Sequence, residues 1–255
     1  MFLAIDIGNT SIKFGTFEGE RLTSRFSIPT VRDNSVADVA DAVNGRLSKD
    51  IGFSLISSVV PEVEAVTAEH LFELTGVGAE FVTSADDFNL TFNFPVSEVG
   101  TDRLVNASAA AEKYGVPCIS IAIGTATTID VVGRGREFLG GLIAPGPGTS
   151  AKALNIVASK LPEVEIAAPT SAIGESTAAA IQAGIFYGQA GLIETAVRQI
   201  KTQTGDDAKV IATGGFASLI AGHCPAIDVI DTELTLEGLR MLYSRRLANA
   251  RPHPE

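Results

Sequence analysis

The stretch "LAIDIGNTSIKFG", residues 3–15, predicts a β-hairpin with a polar tip, because an apolar run leads through glycine and asparagine into a second β-rich run. A second stretch, "IAIGTATTID" at residues 121–130, repeats the pattern of apolar run, glycine and small hydroxyl-bearing residues. When the two glycines are superposed, the first copy has Asp6 two residues before the glycine and the second has Ala122. An internal repeat of this kind indicates that the two halves of the chain have related folds.

The rest of the chain supports two related α/β domains. Each half leads with a hairpin, continues with a third strand and then alternates strands with helices. The segment "EKYGVP" at 112–117 is the expected boundary, so we predict domains at 1–115 and 116–255. Helical spacing, caps and glycine stops predict helices in these ranges: 35–50, 61–76, 102–115, 148–160, 174–204 and 234–250.

Composition argues against several classes of protein. The 255 residues include 30 acids and 19 bases, a net charge of −11, which argues against direct nucleic-acid binding. No apolar run approaches the ~20 residues of a membrane helix, and the N-terminus lacks the basic region of a signal peptide. Cys118 and Cys224 form no disulfide framework. We therefore expect a cytoplasmic protein with no membrane or nucleic-acid partner.

The first hairpin offers the chemistry of a phosphate-binding turn. Gly8 and Asn9 tolerate the positive φ that a tight hairpin turn requires. The turn also presents two hydroxyls and an ammonium group: Thr10, Ser11 and Lys13. Asp6 could anchor Mg²⁺, usually through water, because Mg²⁺ loses its water shell reluctantly. The alternative is an ordinary hairpin with an edge aspartate, and the second glycine hairpin favours the functional interpretation.

The segment "VGTDRLVNA", residues 99–107, places Asp102 and Arg103 at the start of a helix. Asp102 is a candidate general base on a substrate hydroxyl, and Arg103 is a candidate donor to a carboxylate or a phosphate. The alternative is an acidic residue that the helix dipole favours at this position.

The second half has its own glycine-rich segments, each with a structural alternative. Around Gly124 the hydroxyls of Thr125, Thr127 and Thr128 suit a phosphate, although threonine is also common in strands. "ATGGFA" at 212–217 predicts a strand, a double-glycine turn and a helix, where a base or ribose could approach the backbone. The sequence has no Walker-type loop, no dinucleotide-binding G-x-G-x-x-G after a strand and no histidine spacing typical of a metal site.

The ordered set "DIGNTSIK", "GTDR", "GTATTID", "LGGLIAPG", "GESTAAAIQAGIFYG" and "ATGG" resembles the type III pantothenate kinases of the acetate and sugar kinase/heat-shock chaperone/actin superfamily. The resemblance runs from residue 3 to about residue 245. It implies an α/β fold of two ribonuclease-H-like domains with duplicated topology and an active-site cleft between them. It also implies a homodimeric enzyme that uses ATP and Mg²⁺ to phosphorylate pantothenate to 4'-phosphopantothenate, the first step of coenzyme A biosynthesis.

The resemblance also assigns roles to individual residues. The implied ATP and phosphate contacts are Asp6, Gly8, Asn9, Thr10, Ser11, Lys13, Gly124 and Thr125. The implied pantothenate contacts are Phe92, Gly100, Thr101, Asp102, Arg103 and Thr177. Asp102 stands in the place of the family's proton acceptor, and Asp6 is the expected Mg²⁺ residue. Phe92 falls near an aromatic substrate contact that is usually tyrosine in the family, in a loop about one residue longer than is common.

One position departs from the family pattern. The pattern is Asp-x-Gly-Thr-Ala, and its aspartate is associated with the monovalent cation, typically potassium, that the family requires. Ala122 replaces that aspartate here, so we assign no potassium ligand. Ala122 is the only support for one alternative, a catalytically weakened paralogue that acts as a ligand-binding or regulatory accessory protein. Two further alternatives do not depend on Ala122: an activator of gene expression, as described for some proteins of this family, and a kinase of the same superfamily with another substrate.

Overall fold

The computed structural model describes residues 1–32, 36–48, 50–158, 160–205 and 207–250. The chain folds into two compact units. The first comprises residues 1–90, 94–109 and the chain from Leu234 on, and the second comprises residues 91–93 and 110–233. The linear domain boundary at 115/116 stays a prediction; in the folded chain the last helix belongs to the first unit.

The first unit is built on a five-stranded mixed sheet in the order β3-β2-β1-β4-β5. The strands are β1 (Phe2–Ile7), β2 (Ser11–Glu18), β3 (Arg21–Pro29), β4 (Phe53–Ser58) and β5 (Ala79–Phe81). β1 and β2 form the predicted antiparallel hairpin, β3 continues it, and β4 and β5 are added in parallel. Parallel β4 ends at the same sheet edge as β1, so its carboxyl end lies beside the hairpin tip.

The helices of the first unit cover both faces of this sheet. They are α1 (Val36–Val43), α2 (Pro61–Thr75), α3 (Thr101–Tyr114), whose last turn belongs to the second unit, and α7 (Leu234–Ala250). α2 begins at Pro61 and ends at Gly76 in the left-handed conformation, as its proline start and glycine stop predict. Ser35 and Lys49 of the predicted helix 35–50, and residues 251–255 with His253, lie outside the described residues.

The second unit repeats the first sheet strand for strand. Its six-stranded sheet has the order β11-β10-β7-β8-β9-β6. The strands are β6 (Thr91–Phe92), β7 (Cys118–Ile123), β8 (Ala126–Val132), β9 (Glu137–Pro145), β10 (Lys209–Thr213) and β11 (Val229–Ile230). β7, β8 and β9 are antiparallel, and β10 and β11 are added in parallel, as in β1 to β5; β6 is an extra edge strand. The predicted duplicated α/β topology is confirmed.

The helices of the second unit are α4 (Pro147–Val157), α5 (Thr177–Thr204) and α6 (Ala217–Ala221). The side chains of Ile119, Ile121 and Ile123 on one face of β7 pack against α5 in a core of buried apolar residues. The corresponding face of β1, with Leu3, Ile5 and Ile7, packs in the first unit's own core. None of the described helices is both long and apolar enough to cross a membrane.

Both hairpin turns form without left-handed backbone at the predicted positions. Neither Gly8 nor Asn9 has a positive φ, so the expectation that this turn requires one is wrong. The turn closes instead through the Gly8 N–H, which donates to the Ser11 carbonyl at 3.0 Å. A Cβ on Gly8 would lie 3.3 Å from that carbonyl oxygen, so close packing within the turn favours glycine here.

Candidate active site

Asp6 and Lys13 face each other across the first hairpin. They are directly opposite each other in the β1–β2 ladder, and Lys13 Nζ lies 3.0 Å from Asp6 Oδ2. Asp6 is buried, whereas about a third of the Lys13 side chain (35%) is exposed. The strand pairing therefore holds an ammonium group and a carboxylate at the tip of the sheet, and the ammonium retains solvent access.

The start of α3 is attached to the end of β4 next to this pair. Ser57 lies opposite Asp6 in the β1–β4 ladder, and its Oγ lies 3.1 Å from Thr101 Oγ1. Thr101 Oγ1 also donates to the Ser58 carbonyl at 3.4 Å. These hydrogen bonds fix the first turn of α3, which carries Asp102, against the carboxyl ends of two parallel strands. Ligand sites in α/β folds commonly lie at such strand ends.

The Asp102 carboxyl group is held in an environment that disfavours its charge. Burial raises its pKa above the ordinary 3.8, and the nearby Asp6 carboxylate raises it further. The N–H groups of Arg103 and of Asp102 itself, together with the Arg103 guanidinium, oppose the rise without cancelling it. A carboxylate with a raised pKa is a better proton acceptor than an ordinary aspartate, as general-base chemistry requires.

Gly100 leaves the space that the Asp102 side chain occupies. A Cβ at position 100 would lie 2.7 Å from Asp102 Oδ1, closer than real Cβ contacts. Any larger residue would therefore displace the carboxylate. This gives the glycine of "GTDR" a specific structural role that the sequence pattern alone did not reveal.

The remaining residues of the first turn have mixed environments. Asn9 and Thr10 are exposed, and Asn9 Oδ1 accepts from Arg32 Nη2 at 3.0 Å. Thr30 Oγ1 donates to the Gly8 carbonyl at 2.6 Å and holds the turn from the end of β3. The structure therefore brings the predicted set from Asp6 to Lys13 and the set from Gly100 to Arg103 into one unit.

In the second unit, the hairpin tip is packed closely by other glycines. A Cβ on Gly146 would overlap the Gly124 carbonyl oxygen, and the Gly146 N–H donates to the Thr125 carbonyl at 3.0 Å. Gly214 has φ +97°, and a Cβ there would lie 2.5 Å from the Ile123 carbonyl oxygen. Gly214 thus allows the end of β10 to pack closely against the end of β7. Gly215 is exposed, and a Cβ there would meet no atom within 4 Å.

The threonines of the second hairpin have different surroundings. Thr125 is exposed at the turn. Thr127 is buried and donates to Gln189 Oε1 at 2.8 Å, and the Gln189 amide donates to the Pro145 carbonyl. The Thr127 hydroxyl is therefore structural, whereas Thr125 keeps the position predicted for a phosphate contact.

Ala122 occupies the position in the second sheet that Asp6 occupies in the first. Asp6 pairs with Lys13 and Ser57, and Ala122 pairs with Thr128 and Thr213 in the same strand arrangement. The second copy therefore lacks the ammonium group as well as the carboxylate. Where the first hairpin has the charged Asp6–Lys13 pair, the second has the neutral Ala122–Thr128 pair, so neither pair carries a net charge.

The β7–β8 ladder runs without a register shift, so alternation places Ser120, Ala122 and Asp130 on one face. Ser120 Oγ is buried and has no hydrogen-bond partner within the described part of the chain. Asp130 is buried two positions away from the Ala122–Thr128 pair. The alanine methyl cannot ligate a cation, so the residue that the family pattern assigns to potassium does not fit that role.

Phe92 and Thr177 belong to the second unit, whereas the predicted pantothenate contacts from Gly100 to Arg103 belong to the first. Phe92 lies in β6, next to β9, and its ring centroid is 5.9 Å from that of Phe138. Thr177 is the exposed first residue of α5, where Ser176 Oγ caps the helix by accepting from the Ala179 N–H at 3.2 Å. Their assignment as pantothenate contacts stays a prediction.

Sequence reasoning missed two contributors to the site in the first unit. Ser57 connects β4 to α3, and Thr30 holds the turn of the first hairpin by donating to the Gly8 carbonyl. Ser57 had a usable signal, because "FSLISS" is an apolar strand that becomes polar at its carboxyl end. Thr30 had none, since its role depends on the β2–β3 pairing.

The donor set suits a magnesium ion that accompanies a nucleotide. Among the described residues no group of three or more acidic, histidine or cysteine side chains could hold a metal alone. Mg²⁺ commonly binds through one or two carboxylates together with phosphates and water. The Asp6 carboxylate at the tip of the first hairpin can serve as that ligand, directly or through water.

Comparison with known proteins agrees with this chemistry. The family model described as type III pantothenate kinase matches residues 2–199. The chain belongs to the type III pantothenate kinase family. A type III pantothenate kinase of Dehalococcoides mccartyi strain 195 is 39% identical, with 96% of this chain and 98% of that protein covered. One from Brevibacillus brevis is 40% identical, with 96% and 99% covered.

Solved structures support the fold of this family member. A Campylobacter jejuni protein proposed to be a Baf family transcriptional activator superposes with a TM-score of 0.60 at 19% identity, covering 96% of this chain and 99% of that one. Component A of Acidaminococcus fermentans (R)-2-hydroxyglutaryl-CoA dehydratase superposes with a TM-score of 0.52 at 15% identity, covering 97% and 98%. At these identities the likeness concerns the fold: two mixed sheets in an actin-like, two-domain α/β structure.

Proposed function

We propose that this chain transfers the γ-phosphoryl group of ATP to the primary hydroxyl of pantothenate. The observation that carries the proposal is the partly buried Asp102 carboxyl group at the start of α3, whose pKa burial and the nearby Asp6 carboxylate raise. Membership of the type III pantothenate kinase family gives the substrate and the reaction.

Asp102 accepts the proton of the attacking hydroxyl under this proposal. Its raised pKa brings its basicity closer to what general-base catalysis at neutral pH requires. Phosphoryl transfer has a loose transition state, so orientation of the hydroxyl contributes as well as removal of the proton. Arg103, one residue along α3, binds the pantothenate carboxylate or hydroxyls under this proposal.

The first hairpin holds phosphates in this mechanism. Lys13 supplies a partly exposed ammonium group, and Asn9, Thr10 and Ser11 supply backbone N–H groups and hydroxyls next to Gly8, whose own N–H is used within the turn. Magnesium bound with ATP neutralises phosphate charge, and Asp6 would hold it through water. Gly124 and Thr125 remain the ATP contacts that we propose in the second unit.

The second candidate function is a catalytically weakened, ligand-binding accessory protein. Ala122 favours it, because the residue expected to bind the monovalent cation is absent. The neutral Ala122–Thr128 pair favours instead an active enzyme that works without potassium, because this pair of positions holds no carboxylate whose charge a cation must balance. We adopt the active, potassium-independent enzyme.

We also propose that the enzyme is a homodimer through its second unit. Large apolar side chains of β9, α4, α5 and the preceding segment are exposed: Leu139, Leu142, Ile143, Leu154, Ile156, Val157, Ile173 and Tyr187. A monomer rarely exposes so many large apolar groups, and a second copy would bury them. Sedimentation equilibrium of the wild type and of an Ile143→Glu/Val157→Glu variant tests this proposal, and a monomeric wild type contradicts it.

The kinase proposal is tested by coupled ADP release with pantothenate in potassium, in sodium and in a buffer with neither cation. We expect turnover in all three, and an Asp102→Asn variant with turnover reduced about 10²- to 10⁴-fold. An Asp207→Asn variant, changed at an exposed aspartate, is the matched control and keeps full turnover. In the wild type, kcat/KM should fall on acidification through a pKa above 3.8, because Asp102 must be ionised.

Two outcomes contradict parts of this account. Pantothenate binding by calorimetry without turnover in any salt favours the accessory protein. Near-normal turnover of Asp102→Asn removes Asp102 from the role of base.

A further inference from the structure

A pocket opens in the first unit, at the end of β1 that lies away from Asp6. Its volume is about 470 Å³. It is lined by Met1, Phe2, Phe17, Gly19, Glu20, Gly52, Arg240, Tyr243, Ser244 and Leu247. Phe2 and Asp6 lie on the same strand four residues apart, about 13 Å at the rise of a β-strand. The pocket is therefore separate from the candidate active site.

One wall of this pocket is aromatic and rigid. The Tyr243 ring of α7 stacks on Phe2 with centroids 4.5 Å apart and planes 4° apart, and it also lies 4.5 Å from the Phe53 ring. Phe2 and Phe17 are buried, and their centroids are 6.1 Å apart. Of these rings Tyr243 is the one partly exposed at the pocket, and the stacking holds it in place, so a ligand that contacts it causes little loss of side-chain entropy.

The polar element of the pocket is the guanidinium of Arg240. Its side chain is only 14% exposed, and its Nε is buried without a hydrogen-bond partner in the part of the chain that the structure describes. Its ion pair is with Glu20, whose side chain is 91% exposed, and the distance from Nη1 to Oε1 is 3.8 Å. An ion pair this long and this exposed stabilises little.

A buried guanidinium N–H without an acceptor is unfavourable, and a planar carboxylate matches the Arg fork with two parallel hydrogen bonds. A dianionic phosphate usually draws on several cationic donors, whereas Arg240 is the cationic side chain among those that line this pocket, and the acidic Glu20 lies beside it. The volume falls within the range of small-molecule sites, about 300 to 1,000 Å³.

We propose that this pocket binds a small organic carboxylate with a flat, apolar body. The carboxylate pairs with the Arg240 guanidinium and displaces Glu20 toward solvent, and the apolar body packs against Tyr243 and Leu247, whose side chains are partly exposed at the pocket. The proposal does not depend on the proposed kinase activity, because it uses none of the residues assigned to ATP or pantothenate.

The test uses sodium 2-naphthoate as the probe, titrated into the full chain by calorimetry and followed by ¹⁵N NMR. We expect binding, with the largest amide shifts at Gly19 and Gly52, which line the pocket. The neutral amide 2-naphthamide should bind at least about tenfold more weakly, because it lacks the charge that pairs with the guanidinium. Inorganic phosphate should cause no shift at these glycines.

Variants separate the Arg240 contact from general hydrophobic binding. Arg240→Gln should weaken naphthoate binding about tenfold or more, and Arg240→Lys, which keeps the charge without the fork, should weaken it less. Arg198→Gln in α5 is the matched control and should bind as the wild type does. If Arg240→Gln unfolds, the Arg240→Lys variant and the comparison with 2-naphthamide still test whether the carboxylate binds the Arg240 guanidinium.

Absence of naphthoate binding to the wild type overturns the proposal. Equal binding by the wild type and Arg240→Gln, or amide shifts confined to other regions, also overturns it.

Discussion

Arg246, in the last helix, binds both carboxylate oxygens of Asp86, with Nε 2.6 Å from Oδ1 and Nη2 2.8 Å from Oδ2. The same guanidinium donates to Glu80 Oε2 and to the Phe81 carbonyl. The neighbouring Arg245 donates to the Asp87 carbonyl and to Ser108 Oγ of α3. Two consecutive arginines thus attach α7 to the segment that follows β5.

This attachment should contribute substantially to stability, because both partners of the central pair are largely buried. We expect Arg246→Ala and Asp86→Ala each to lower the free energy of unfolding by about 2 to 3 kcal/mol. The double variant should lose about 1 to 2 kcal/mol less than the sum, measured by urea denaturation. The exposed pair Lys201–Asp207 is the control, and its double-mutant cycle should show little coupling. Additive losses at Arg246 and Asp86 would mean that the pair does not act as a unit.

Gly100 offers a test that separates activity from stability. Gly100→Ala brings a Cβ within 2.7 Å of Asp102 Oδ1, and the flexible carboxylate can move away at small cost to folding. We expect turnover to fall about 10- to 100-fold, because a displaced base no longer meets the hydroxyl. The melting temperature should stay near that of the wild type. Gly78→Ala is the control, since a Cβ there meets no atom within 4 Å. Both substitutions reduce the conformational entropy of the unfolded chain by the same amount. Equal turnover in both variants would mean that Asp102 does not need its present position.

These two features also mark the limit of what the sequence predicted. The hairpins, the helix from Pro61 to its glycine stop and the start of α3 follow from local patterns, because turns and caps depend on adjacent residues. The Arg246–Asp86 pair and the Ser57–Thr101 hydrogen bond join residues far apart in the chain, and no local pattern specifies them. The positive φ expected of Gly8 and Asn9 was wrong because this longer turn closes through the Gly8–Ser11 hydrogen bond.

The repeat of "LAIDIGNT" in "IAIGTATT" did predict the duplicated sheet, since each copy encodes the same hairpin. It could not predict that Thr128 would stand opposite Ala122. The second turn is one residue shorter than the first: Ile7 pairs with Ile12, whereas Ile123 pairs with Thr127. The partner of position 122 therefore depends on the register.

His70 should make the free energy of unfolding depend on pH. It is buried in α2 with neither ring nitrogen hydrogen-bonded among the described residues, and Glu73 lies 4.0 Å from Nδ1. Burial lowers its pKa below the ordinary 6.5, although the Glu73 carboxylate opposes this shift. As the pH falls, the unfolded chain therefore binds the proton at a higher pH than the folded chain does. The stability contributed by neutral His70 is fully present above pH 6.5, and it is lost as the pH falls from there through the lower pKa of the folded chain.

We expect His70→Leu to lose less stability than the wild type on acidification from about pH 7.5 to about pH 5, measured by urea denaturation at each pH. The exposed His223 provides the control, and His223→Gln should follow the wild type. A His70→Leu curve parallel to that of the wild type would exclude His70 as a source of the pH dependence.

The Ala122–Thr128 pair leads to a prediction about cation dependence. Ala122→Asp places a carboxylate beside Thr128 without the ammonium group that Lys13 supplies to Asp6. A cation from solution should then be needed, so the activity of this variant in potassium should exceed that in sodium by about tenfold, the ratio that about 1.4 kcal/mol produces. Adding Thr128→Lys supplies an internal ammonium group, as in the first hairpin, and should abolish the difference between the salts. Ala122→Asn, which has the shape without the charge, should behave as the wild type does. Equal activity of Ala122→Asp in both salts would show that a carboxylate at position 122 does not create a cation requirement in this chain.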